Sequence, residues 1–137
     1  METYKLEITT QELLGMLSNY FTLKLEKTIN VKESHSISYE GYYEDKVSKV
    51  EIFYEETIEI LGHTATKTTT LSKDEIKSIL NELIDNEKYT IDSLYYNASI
   101  ETKGYYRDEY EQAVFNGITL NIKEKQKTLR KWWYEKI

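Results

Sequence analysis

The sequence contains no cysteine and no proline, and it has only five glycines and two histidines. Without cysteine there is no zinc knuckle, no thiol nucleophile and no redox sensor. That absence is compatible with any compartment, and the cytoplasm is the expected one. Without proline, edge strands lack one of their usual guards, so Lys, Glu and strand twist must prevent edge-to-edge pairing. No apolar run approaches the ~20 residues of a membrane span. Residues 1–25 lack the basic start, apolar block and small-residue cleavage site of a signal peptide, so no membrane partner is expected. The formal net charge of −6 disfavours direct nucleic-acid binding by the acidic surface. At 137 residues the chain can bury about two-thirds of its unfolded surface and needs no metal or disulfide staple, so one domain over 1–137 is expected.

What is present is an internal repeat. Shifted by 63 residues, Thr9-Thr10-Gln11-Glu12-Leu13 falls on Ser72-Lys73-Asp74-Glu75-Ile76, and Gly41-Tyr42-Tyr43-Glu44-Asp45 on Gly104-Tyr105-Tyr106-Arg107-Asp108. A single-residue gap then sets Ile52-Phe53 on Val114-Phe115. Leu13, Met16, Leu17, Tyr20 and Phe21 form an i, i+3, i+4, i+7, i+8 stripe, as do Ile76, Ile79, Leu80, Leu83 and Ile84. Each stripe follows a capping box, Thr9-x-x-Glu12 and Ser72-x-x-Glu75, in which the hydroxyl accepts from the N3 amide and the Glu reaches back to the cap amide. Helices are therefore predicted at about 10–22 and 73–85.

Period-two alternation predicts strands around Ile29–Tyr39 and Leu94–Ile100, then around Ile52–Ile60 and Val114–Ile122. Tyr4–Ile8 and the threonine-rich Ala65–Leu71 precede the two helices as further strands. The predicted fold class is α+β: a tandem duplication of a β-α-β-β unit, with repeats at about 4–60 and 65–122. These form one mainly antiparallel sheet with two helices on one face. Leu61-Gly62-His63-Thr64 joins the copies and is too short for an independent hinge.

Residues 123–137 have no counterpart in the first copy. Leu129, Trp132, Trp133 and Ile137 make an amphipathic stripe, which predicts a C-terminal helix. The segment holds six basic and two acidic side chains, so +4, and the other 122 residues carry −10. Arg130, Trp132 and Trp133 are candidates for a dimer seam or a partner contact.

Catalytic inventory is poor. His35 is placed by alternation on the apolar face of a strand, as a partly buried structural residue, and His63 in the linker. Neither has an H-x-H or H-x-x-E neighbour, and no G-x-S-x-G, P-loop, G-x-G-x-x-G or H-E-x-x-H occurs. Asp108, Glu109 and Glu111 lack the ligand order and glycine of a calcium loop, so no metal and no cofactor is expected. Alternation puts Glu55 and Glu59 on the wet face of a strand, with Glu56 beside Tyr54 and Ile58. The pattern is that of a solvated acidic face rather than a general acid–base pair. Two features stand out: the Gly-Tyr-Tyr-x-Asp turn, present twice, and thirteen tyrosines against three phenylalanines. Tyrosines beyond core needs must reach the surface, where they bring contact area and a polar handle. Tyr42, Tyr43, Tyr105, Tyr106, Arg107 and Asp108 are therefore the candidate partner-binding residues.

The stretch Thr69–Leu80, with its capped helix, and the strand Val114–Ile122 resemble small uncharacterised proteins of phages and mobile elements from AT-rich Gram-positive bacteria. Some of these are anti-CRISPRs or other inhibitors of bacterial defence. The resemblance carries over no site residue. It implies a non-enzymatic protein of the host-cell cytoplasm that inhibits a defence protein, such as a nucleic-acid-handling effector, by occupying its surface. Two other readings stay open. A nucleotide-signal sponge would need Arg107, Arg130 and the tail lysines for phosphate, and a homodimeric structural or assembly protein would use the tryptophan tail as its seam.

Overall fold

The computed structural model describes residues 2–41 and 45–125. The elements are β1 (Thr3–Ile8), α1 (Thr10–Leu25), β2 (Lys32–Glu40), β3 (Asp45–Ile60), β4 (His63–Leu71), α2 (Lys73–Leu83), β5 (Tyr89–Lys103) and β6 (Tyr110–Glu124), with a 3-10 turn at Tyr106–Asp108. The order strand–helix–strand–strand thus occurs twice in an α+β chain.

Both helices start where their caps dictate. The Glu12 amide donates to Thr9 Oγ1 at 3.2 Å and the Glu75 amide to Ser72 Oγ at 3.1 Å. The reciprocal half differs from expectation. Glu12 and Glu75 accept from the cap hydroxyls themselves rather than from the cap amides, so each hydroxyl both donates and accepts. Leu13, Leu17 and Phe21 of α1 are buried with Ile76, Ile79 and Leu80 of α2, whereas Leu83 at the end of its stripe is exposed. Polar residues on the helices also hold the returning chain. Val31 donates to Ser18 Oγ at 2.9 Å, and Ile91 donates to Asn81 Oδ1 at 2.9 Å. Ser18 and Asn81 are 63 positions apart. Leaving either amide without a partner costs about 1–3 kcal/mol.

The strands form two antiparallel sheets of three, ordered β1-β6-β5 and β2-β3-β4, not the single sheet expected. The cause is the pairing of the first strand of each unit. β1 pairs with β6, the last strand of the other unit, and β4 pairs with β3 in the same exchanged sense. Both sides of β3 and of β6 are then occupied, and each sheet closes at three strands. The segment read as a linker is the turn of the β3–β4 hairpin. Leu61 (φ 53°) and Gly62 (φ 77°) are both left-handed, as a two-residue type I′ turn requires, so His63 begins β4.

The register also corrects the alignment of the third strands. Ile52 faces Leu71 on one side and Glu33 on the other; Ile118 faces Ile8 and Tyr96. Ile8 and Leu71, like Glu33 and Tyr96, are 63 apart, so Ile52 corresponds to Ile118, at an offset of 66, and not to Val114. The three extra residues can be located. The β5–β6 tip spans 104–109 where the β2–β3 tip spans 41–44, and a bulge sets Asn116 and Gly117 against Asn97.

One cluster of buried side chains draws on both helices and on every strand except β2. α1 packs on β6 and α2 on β5, and the Phe21 ring meets Tyr54 of β3 at 4.6 Å. β6 runs to Glu124 and pairs Lys123 with Thr3, so the first two residues assigned to a C-terminal helix belong to a strand. The remainder, 126–137, lies outside the described residues. Among the described residues no helix is long and apolar enough to cross a membrane.

Candidate functional site

The long hairpins β2–β3 and β5–β6 come together at one end of the molecule through strand residues near their tips. Lys46 Nζ bonds Glu111 Oε1 at 2.9 Å across the two hairpins, and Ser48 Oγ donates to the Ser99 carbonyl. Between them lies a cleft of about 490 Å³ lined by Ile37, Tyr39, Lys46, Thr102, Tyr110 and Glu111. The Glu111 carboxylate, hydrogen-bonded to Lys46, raises the lysine's pKa, as Glu101 does for Lys103. Both lysines are exposed, so these pairs orient the tips more than they stabilise them.

The second tip has a defined backbone. Gly104 has φ 92°, and a Cβ there would stand 2.4 Å from the Asp108 carbonyl oxygen, so only glycine permits the closure. The Asp108 amide donates to the Tyr105 carbonyl at 3.0 Å, and Tyr106 itself is left-handed at φ 52°. The turn holds its tyrosines outward: Tyr105 is 84% and Tyr106 91% exposed. Arg107 and Asp108 are exposed beside them. Tyr39 and Tyr110, which the sequence reading did not single out, add two more exposed rings at the same end. Alternation gave no signal for them: Tyr39 follows Ile37 on the face assigned to the interior, but the ribbon extends past the core there.

Not all the candidate residues gather here. Tyr42 and Tyr43 of the first tip lie outside the described residues, as do Arg130, Trp132 and Trp133. Glu55 and Glu59 are exposed on β3, and Glu56 is half-buried beside Tyr54 and Ile58, as alternation requires. However, they sit ten and fourteen residues from Asp45, roughly 30 Å or more along the strand from the tip. The acidic face and the tyrosine tip are therefore separate surfaces. Glu56 is held by Lys27, whose ammonium keeps its carboxyl below the ordinary range. His35 departs from expectation. It is exposed, and its Nδ1 lies 2.8 Å from Glu33 Oε2 two residues away, because β2 contributes nothing to the core and its apolar-face positions meet solvent. Among the described residues no three His, Asp or Glu side chains come together as a metal site.

A second feature missed by the sequence reading lies between the helices. Met16, Tyr20, Leu23 and Lys24 of α1 face Leu83 of α2 across a groove of about 610 Å³, and Leu23 is 81% exposed. The chain matches no protein-family model, and no curated protein or solved structure is significantly similar to it.

Proposed function

We propose that this protein is a non-enzymatic binder that inhibits a bacterial defence protein, in the manner of an anti-CRISPR, by covering part of its surface. The observation that carries the reading is the tyrosine tip: four exposed rings at one end, two of them on a turn that only glycine can close. A rigid aromatic knob loses little conformational entropy on binding, and Tyr tolerates both water and an apolar partner. Arg107 offers a bidentate donor among the rings. The acidic face with Glu55 and Glu59 contributes long-range steering toward a basic partner. The repeated element order and the shared offset of 63 in the strands that flank β3 and β6 support a tandem duplication as its origin, with the two long hairpins as equivalent elements.

The test is affinity capture from the cytoplasm of a Gram-positive host, with the parent protein and with Tyr105→Ala/Tyr106→Ala as baits. The parent should retain a defence effector that the variant loses, while both show the same circular dichroism and melting temperature. Capture of no partner by the parent, or equal capture by both baits, overturns the reading.

A further inference from the structure

Two apolar hollows meet at the C-terminal end of α2. One is the α1–α2 groove, which includes Leu83; the other, of about 280 Å³, is lined by Tyr4, Leu6, Ile84, Tyr89 and Ile122. The consecutive residues Leu83 and Ile84 each line one of them. Tyr4, Leu6, Leu23 and Leu83 are all exposed, so the two hollows form an apolar strip open to solvent on a chain with little other reason to display it. The last described residue, Lys125, lies at the near end of this strip: its amide donates to the Lys88 carbonyl at 2.8 Å, next to Tyr89. Beyond it the sequence continues for twelve residues, with Leu129, Trp132, Trp133 and Ile137 at helical spacing.

We propose that residues 126–137 fold back along this strip as the occupant of both hollows, with Trp132 and Trp133 seated in the groove lined by Met16, Leu23 and Leu83. Reach permits it. Leu83 precedes Lys88 by five residues, so their Cα atoms are at most about 19 Å apart. The seven residues from Lys125 to Trp132 span about 10 Å as a helix and about 24 Å extended. Charge is complementary. Residues 126–137 carry Lys127, Arg130, Lys131 and Lys136 against the single Glu135. An adjoining hollow between the helices, which shares Tyr20 and Lys24 with the groove, carries Asp74, Glu75 and Glu82; the sequence around the exit interleaves Glu2, Asp85, Glu87 and Glu124 with Lys88, Lys123 and Lys125. A basic amphipathic segment laid apolar side down would meet the three carboxylates of that adjoining hollow. Each indole seated this way buries roughly 150–250 Å², which suits an open groove better than a scatter of surface leucines.

The chain offers its own probe, because its only two tryptophans are Trp132 and Trp133. Indole fluorescence therefore reports the tail alone. In the intact protein the emission should be blue-shifted from that of a free 126–137 peptide, and acrylamide quenching several-fold weaker, both independent of protein concentration. Leu23→Asp/Leu83→Asp alters exposed positions and should leave the far-UV spectrum unchanged while restoring peptide-like emission and quenching. Peptide-like fluorescence in the parent protein overturns the proposal. So does protection that the double variant leaves intact. Protection that fades on dilution assigns the strip to a second copy of the chain and overturns it equally. Capture by the tyrosine tip is read independently, so failure of one does not mimic failure of the other.

Discussion

Gly117→Ala should be among the most damaging single-methyl additions available in this protein. Gly117 sits in the β6 bulge at φ 110°, and a Cβ there would stand 2.0 Å from the Ile8 carbonyl oxygen and 2.9 Å from the Thr9 carbonyl carbon and Cα. Those are backbone atoms and cannot rotate away. They are also held in place. Ile8 pairs with Ile118, Thr9 caps α1, and Thr10 Oγ1 donates to the Phe115 carbonyl at 3.1 Å. A side chain forced into this conformation costs about 1–3 kcal/mol, and overpacking against fixed atoms about 1–3 more. A loss of about 2–6 kcal/mol compares with a total stability of about 5–15 for a domain. At a urea slope of about 2 kcal/mol per molar, the midpoint should fall by about 1–3 M, read by far-UV circular dichroism. The control is the same substitution at Gly15, which lies mid-helix with nothing within 4 Å of the added Cβ. Gly15→Ala should gain about 0.5–1 kcal/mol. A Gly117→Ala midpoint within about 0.3 M of the parent would refute the account of the β1–α1 junction lying against β6.

Two further outcomes follow from single contacts. Leu61 occupies a left-handed turn position at 94% exposure, so Leu61→Asn should stabilise the β3–β4 hairpin by about 1 kcal/mol in thermal melts, and a loss of stability would contradict the type I′ assignment. Lys27 depresses the Glu56 carboxyl below its ordinary value of 4.5; that contribution is therefore present above about pH 4.5 and lost as pH falls through the depressed value, so Lys27→Met should flatten the acid limb of stability against pH.

The legible parts of this fold were the local ones. Thr9 and Ser72 announced their helices because a cap acts within three residues, and Glu55, Glu56 and Glu59 sorted themselves by the pleat of a single strand. What could not be read was which strand pairs with which. Tyr4–Ile8 reads the same whether it joins β3 or β6, since both present alternating Ile and Leu or Tyr. The third-strand register was lost for a similar reason. Its three extra residues are divided between a tip and a bulge, and a bulge leaves its alternation on either side intact. Of the tyrosine tip, Tyr105 and Tyr106 were visible from the Gly104 turn they follow. Tyr39 and Tyr110 were not, because nothing in a strand's period tells where its ribbon outruns the core.

The exchange of first strands is what makes the tip a joint product of both halves. β3 is held between β2 of its own unit and β4 of the other, and β6 between β5 and β1. Neither β-α-β-β unit can complete its sheet without the other, so the two hairpins are fixed relative to each other at their bases by ladders and by the shared core. Near their tips the side-chain hydrogen bonds between them, among the described residues, are Lys46–Glu111 and Ser48–Ser99. Two exposed polar links contribute little stability, but the bases already set the separation. An end built this way places residues about 65 positions apart in sequence side by side without drawing on any residue of the core. That division leaves Tyr39, Tyr105, Tyr106 and Tyr110 exposed outside the core, while Ile52, Ile118 and the two helices carry the fold.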